Sequence, residues 1–293
     1  MRWWTYQKER FPVFQHGLLV MAFSSSAVAF SSLLCGIVPS WQAFLVAFIT
    51  VFLFFLQLRI ADEFKDAEED AKYRPYRAVP RGLVSLRELG YVFVIAAFVQ
   101  LGLTLWLDSR LLYLLLITWG YLALMSVEFF ARDWLKARHI TYLWTHMMIM
   151  PLVDLFATSC LWLPANVVPD KLGLSFFLIA SFFNGIVIEM GRKLRQPEGE
   201  QEGVPTYSKL WGLKKASFVW AACISVTATF AILAASHIGF TLPVICLLIP
   251  LLAWAFLTTR NFNETSSKRF ELISGLWTLV LYLSLGLIPL IFS

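Results

Sequence analysis

Nine stretches of this chain are apolar for long enough to cross a bilayer, and that feature restricts the fold more than any other. A hydrocarbon core of ~30 Å takes about 20 helical residues at ~1.5 Å each. The runs lie near residues 13–35, 41–60, 90–107, 111–130, 141–163, 173–190, 214–236, 240–258 and 270–292. Inside lipid a backbone must satisfy its own hydrogen bonds, so each run is expected as a helix. Composition agrees: 59% of the 293 residues are hydrophobic and 15% are charged, against roughly a quarter charged in soluble chains. The expectation is an all-α integral membrane protein, a bundle of nine transmembrane helices forming one membrane domain over residues 1–293. No small-residue cleavage site separates the first run from the second, so the first is expected to remain as a span. Cys35, Cys160, Cys223 and Cys246 all fall inside apolar runs, where a free cysteine behaves as a small hydrophobe, and they imply neither a metal site nor an oxidising compartment.

Nine spans place the two termini on opposite sides. Every lysine and arginine except Arg110 and Lys171 falls on the N-terminus or on the even-numbered connections. The positive-inside rule then predicts a cytoplasmic N-terminus and agrees independently with the span count. This asymmetry fits a bacterial inner membrane. The net charge of +5 reflects orientation and affinity for anionic lipid headgroups, and gives no reason to expect nucleic-acid binding.

Two connections on the charged side are longer than the others, residues 61–89 and 191–213, and chemistry is expected there. Each opens with acidic residues at a helix end and closes with a related run, Val79-Pro-Arg-Gly-Leu-Val-Ser85 in one and Val204-Pro-Thr-Tyr-Ser208 in the other. A four-span offset is the pattern an internal duplication would leave. In the first connection Asp62, Asp66 and Asp70 recur at i, i+4 and i+8, which advances only ~40° per step and holds all three within ~80° of one helix face. Hard oxygen donors on a helix suit magnesium, which is usually shared between one or two carboxylates and a substrate's phosphates. Lys72, Arg74, Arg77 and Arg81 follow, and such cations can neutralise phosphate directly. Acid and base together suggest a diphosphate. The plainer alternative is a solvated helix end laced by i, i+4 pairs such as Glu68 with Lys72.

The second cluster is less regular: Asn184 and Glu189 precede Arg192, Lys193 and Arg195, and Glu198, Glu200 and Glu202 follow. Glu189 carries most weight, because a carboxylate near the end of an apolar run needs a cation or hydrogen-bond donors. Pairing with Arg192 or Lys193 one turn later would meet that need without any ligand. Within or near other spans lie Glu128, His146 and Asp154, candidates to hold an acceptor, to take up a proton, or only to tie helices together. The 26 Phe, 12 Trp and 9 Tyr can line a pocket whose ring faces stabilise a cation. Lipid contact and interfacial anchoring account for most of them without one.

Asp62-x-x-x-Asp66-x-x-x-Asp70 followed by Arg77-Ala-Val-Pro80-Arg-Gly82 resembles the first motif of the UbiA superfamily of intramembrane prenyltransferases. That motif is Asn-x-x-x-Asp-x-x-x-Asp, a basic stretch, and Arg-Pro-x-Pro-x-Gly. The family's nine helices surround a central cavity, and its two acidic motifs follow the second and sixth helices. The resemblance covers most of the chain. It departs in two places: Asp62 stands where the family has asparagine, and Glu189, Arg192, Lys193, Glu198 and Glu200 stand where the second motif normally has several aspartates.

The resemblance implies a magnesium-dependent enzyme that moves an isoprenyl group from a prenyl diphosphate to a lipophilic acceptor. Asp62, Asp66, Asp70 and Glu189 would hold the metal, and Lys72, Arg77, Arg81, Arg192 and Lys193 the diphosphate. Two other readings stay open. Some relatives are terpene cyclases, in which the cation closes on its own chain. A transporter or lipid-binding protein, with Glu128 and Asp154 as a relay, would use the acidic connection only as a solvated surface.

Overall fold

The computed structural model describes residues 2–200, 203–204, 206–261 and 267–292, so Glu202 and Pro205 of the second long connection lie outside the described residues. In chain order the α-helices are α1 (Arg2–Arg10), α2 (Val13–Cys35), α3 (Trp41–Lys65), α4 (Ala67–Tyr73), α5 (Leu86–Leu107), α6 (Leu111–Ser126), α7 (Arg132–Lys136), α8 (His139–Met147), α9 (Ile149–Trp162), α10 (Lys171–Arg192), α11 (Tyr207–Trp211), α12 (Leu213–Ser236), α13 (Thr241–Arg260), α14 (Ser267–Leu285) and α15 (Leu287–Phe292). Eight apolar segments are long enough to span: α2, α3, α5, α8 with α9, α10, α12, α13, and α14 with α15. The expected fourth span is α6, apolar but only 16 residues long. The chain is an all-helical, multi-pass integral membrane protein.

Local chemistry sets the helix ends. The Ser40 hydroxyl accepts the Ala43 N–H at the start of α3, and Ser85 with Glu88 forms a capping box at the start of α5. The two composite spans break just before prolines. Pro151 has no N–H for the carbonyl of Met147, and Pro289 none for that of Leu285, so the chain turns at Met148 and at Gly286.

Successive membrane helices pack side by side, α2 on α3, α3 on α5, α5 on α6, α6 on α9, α9 on α10, α10 on α12, α12 on α13 and α13 on α14; α14 returns to α2 and closes the ring. α2 and α3 also touch α9, and α10 touches α14, which fills the centre. Large side chains there are fully buried, among them Phe30, Phe54, Phe156, Phe177, Trp220 and Trp277. By contrast, the apolar windows of α5 and α13 are each only 22% buried, as helices facing lipid should be.

Two glycines permit the closest approaches. A Cβ on Gly191 of α10 would meet the Ser274 hydroxyl of α14, and one on Gly286 would lie 2.1 Å from the backbone carbonyl oxygen of Ser26 on α2. Backbone cannot step aside as a side-chain tip can. Gly286→Ala is therefore expected to cost about 1–3 kcal/mol through overpacking at the seam that closes the ring. Gly275→Ala, with nothing within 4 Å of the added atom, is the neutral control. Thermal unfolding in detergent compares the two.

Candidate active site

The charged segments meet at one end of the ring. Ion pairs tie them: Arg10 to Glu63, Arg81 to Glu9 at 2.8 Å, and Lys136 to Glu69 at 2.6 Å. At their centre is the end of α3, where the expected continuous acidic helix is interrupted. α3 stops at Lys65 and α4 begins at Ala67, with Asp66 at the joint (φ −95°, ψ 6°). The N–H groups of Asp66, Asp70 and Arg74 still reach the carbonyls of Asp62, Asp66 and Asp70 on either side of the joint.

The three aspartates differ in what holds them. Asp70 is 2% exposed and already neutralised: Arg77 donates to both its oxygens at 2.7 and 3.0 Å, while Arg74 lies 2.9 Å away as an ion pair out of line for a hydrogen bond. Asp62 has looser neighbours, Lys65 at 3.5 Å and Arg59 at 3.8 Å. Asp66 is half-buried and forms no ion pair or side-chain hydrogen bond among the described residues. Burial pushes its carboxyl up from the ordinary value; Lys65 opposes this, and Asp62, Asp70 and Glu69 reinforce it. Neighbouring Glu69 is the reverse case, held below its ordinary value chiefly by the hydrogen bond from Lys136.

The remaining expected diphosphate contacts are scattered. Arg77 is bound to Asp70, Arg81 is drawn to Glu9 and the Tyr76 carbonyl, and Lys72 is exposed with its ammonium 4.8 Å from the centre of the Tyr73 ring. On α10, Glu189 is clasped by Arg192 at 2.5 Å and Lys193 at 2.8 Å, the one-turn pairing its sequence allowed. Arg192 also interacts electrostatically with Asp62 and with Glu271 of α14, so the ends of α3, α10 and α14 face one another. Glu200 is occupied in binding the Thr206 and Ser208 hydroxyls, and Glu198 is exposed.

Beside this cluster the backbone takes an unusual course. Glu128, Phe129 and Phe130 have φ values of 49°, 53° and 57°, a left-handed turn of three residues without a glycine. Each such residue costs ~1–2 kcal/mol and persists only where its surroundings hold it. The turn buries Glu128 next to Lys65 (4.0 Å) and Tyr142 (3.5 Å), and Lys65 donates to the same tyrosine oxygen at 3.1 Å. Tyr142 stacks on His146 with ring centres 3.8 Å apart, and Phe129 meets His146 edge-on at 6.2 Å. Glu128 and His146 thus both border Tyr142.

Asp154 is not with them. Eight residues beyond His146 and past the bend at Met148, it is fully buried and accepts a 2.7 Å hydrogen bond from Tyr282 of α14. Sequence reasoning passed over Arg59 and Lys65 except as charges to be counted, and missed Tyr142 and His16. Arg59, Asp62 and Lys65 recur every third residue, a one-turn spacing that would have found the first two. His16, which shares its field with Arg59 and Arg192, gave no signal beyond being a histidine near a span end.

A family model described as the UbiA prenyltransferase family matches residues 19–291. The chain belongs to the UbiA prenyltransferase family. Its fold is similar to that of the apo UbiA homolog from Aeropyrum pernix K1, with a TM-score of 0.70 at 11% identity, covering 90% of this chain and 96% of that one. It is also similar to a digeranylgeranylglyceryl phosphate synthase in membranes, with a TM-score of 0.59 at 15% identity, covering 94% of this chain and 99% of that one. No curated protein matches in sequence. At these identities the structural likeness speaks for the UbiA fold, and the family match for a prenyltransferase-type activity.

Because Asp70 secures two arginines while Asp66 secures none, their removal should move stability in different directions. Asp70→Ala is expected to destabilise the ligand-free protein by about 2–3 kcal/mol, the lower end for a broken buried pair because Arg77 keeps part of its hydration. Asp66→Asn should leave the melting temperature unchanged or raise it, since a carboxyl shifted upward by burial and like charges loses stability on ionising. Thermal unfolding of both variants without ligand is the measurement.

Proposed function

We propose that the chain is a magnesium-dependent intramembrane prenyltransferase that takes an isoprenyl group from a prenyl diphosphate and delivers it to a lipophilic acceptor. The observation that carries this reading is Asp66. It is a half-buried carboxylate without an ion pair among the described residues, at the end of α3 next to Lys65, and its neighbours Asp62 and Asp70 face Arg59, Arg74 and Arg77.

The donor set suits a cation shared with phosphate. Among the described residues no three His, Cys, Asp or Glu side chains converge to hold an ion unaided, and magnesium usually needs only one or two carboxylates beside substrate phosphates and water. Asp62 and Asp66 are the open ligands; Asp70 and Glu189 would join once their arginine and lysine partners turn to the diphosphate. When bound, magnesium supplies neutralisation of the leaving diphosphate.

The chain's own residues do the rest. Arg77, Arg192 and Lys193 move from carboxylate to phosphate oxygens, so positive charge meets the negative charge that grows as the carbon–oxygen bond breaks. Lys72 and Arg81, more exposed, draw the diphosphate to the site. Apolar helices enclose the isoprenyl chain and exclude water from the allylic cation. Glu128 and His146 border the place where an acceptor would meet that cation, and Asp154 is left to hold α9 to α14. On the positive-inside rule this end of the ring faces the cytoplasm.

The test is reconstitution in lipid with a panel of prenyl diphosphates, with and without a lipid extract, reading pyrophosphate release and products by mass spectrometry. Asp66→Ala is expected to slow pyrophosphate release at least ~100-fold. Wild-type rates in Asp66→Ala and Asp70→Ala would exclude the metal role, and a cyclic product formed without acceptor would turn the reading to a terpene cyclase.

A further inference from the structure

Transfer of a prenyl group to a hydroxyl releases a proton, and the carboxylates already clasped by arginine and lysine are poorly placed to take it. His146 is placed differently. It is 6% exposed, and its Nδ1 lies 2.8 Å from the backbone carbonyl oxygen of Tyr142. A carbonyl only accepts, so Nδ1 carries the hydrogen and Nε2 of the neutral ring presents a bare lone pair. Nε2 is buried and has no hydrogen-bond partner among the described residues. The ring cannot readily turn to find one, because Tyr142 is stacked on its face and Phe129 stands at its edge.

A second buried oxygen, Glu128 Oε2, is likewise unpartnered, while Glu128 Oε1 faces the Tyr142 hydroxyl. Both open atoms are acceptors in their present state, so a ligand that reaches them must bring a donor. Charges around the imidazole come from the site already described: Lys65 and Asp62 on α3 and Glu189 on α10 all act on it electrostatically. His146 therefore adjoins the charged cluster at the ends of α3 and α10.

We propose that His146 Nε2 binds the hydroxyl of the second substrate and takes its proton, which makes the acceptor a lipophilic alcohol or phenol alkylated at oxygen; this rests on the prenyl-transfer reading above. The bond between the prenyl carbon and the diphosphate oxygen breaks with its electron pair leaving on the diphosphate. A lone pair of the acceptor oxygen forms the new carbon–oxygen bond. The O–H pair stays on that oxygen and the proton passes to Nε2, giving an ether and an imidazolium that returns the proton to water as products leave. A ring carbon is the less suitable nucleophile here, since its C–H offers no hydrogen bond to the open lone pair.

The test uses the full chain in lipid nanodiscs with geranyl, farnesyl and geranylgeranyl diphosphate, each paired with dodecanol and with nonylphenol. His146→Asn keeps an N–H able to reach the Tyr142 carbonyl and has no basic lone pair beyond it. Ether formation is expected to fall ~100-fold or more in that variant. Its affinity for inorganic pyrophosphate with magnesium should be unchanged, which shows that the fold and diphosphate site survive. Nitrogen NMR of isotope-labelled histidine, with the His146 signal assigned by its loss in the variant, should show a protonated Nδ1 and a bare Nε2. Undiminished ether formation in His146→Asn, a product alkylated at carbon, or a protonated Nε2 overturns the proposal while leaving the diphosphate site standing. A wild-type protein that releases pyrophosphate from none of the three substrates overturns both.

Discussion

A bilayer leaves the backbone no partner but itself, and that constraint decides where everything else in this molecule can lie. Once the apolar runs are helices, their interiors can carry few charges, so ionisable chemistry is pushed to the places where helices end. Closure of the ring by α14 against α2 then brings those ends, far apart in sequence, to one face. The meeting of α3 with α10 and with the turn before α7 is a consequence of how helices stack. The buried exceptions follow the same logic: Asp154 survives at depth with a hydrogen bond from Tyr282, and Asn184 with one from Thr278.

At that face opposite charges are stored on one another. Asp70 holds Arg74 and Arg77, and Glu189 holds Arg192 and Lys193. Such pairing keeps buried ions tolerable without a ligand, since an unpartnered buried charge is far costlier than a satisfied one. On the function proposed above, it would also set the terms of binding. A magnesium diphosphate would bring both signs at once, so each arginine could exchange a carboxylate for phosphate as the carboxylate exchanges an arginine for metal. Asp66, between α3 and α4 and without an ion pair among the described residues, would start this process without first giving up a partner.

Hydropathy and charge made most of the fold legible. Eight of the nine runs reappear as helical segments long enough to span, two of them broken in two, the fourth reappears as the 16-residue α6, and the charged cluster involves both long connections. The acidic motif was legible as composition and less so as geometry. Spacing alone treats residues 62–70 as one helix, yet the basic stretch that follows draws Asp70 inward, and the chain bends at Asp66. Glu189 pairs with Arg192 and Lys193, and whether such a carboxylate meets a metal or its own neighbours depends on rotamers that periodicity does not encode. Lys65 and Tyr142 escaped because their placement comes from contacts between helices distant in sequence.

The left-handed turn at Glu128–Phe130 shows why such contacts are hard to read in advance. Glycine is the usual residue for three successive positive φ angles, and none is present. A glycine at the first position would remove the carboxylate that faces Lys65 and Tyr142; one at the second would remove the ring that walls His146. The strain is therefore the physical counterpart of keeping both side chains where the path of the chain favours neither. An alternative with relaxed backbone would point Glu128 and Phe129 elsewhere and leave Tyr142 and His146 open to lipid or water. The cluster of Glu128, Tyr142 and His146 thus depends on packing from α3, α6 and α8 to hold the turn, and the turn in turn holds the cluster.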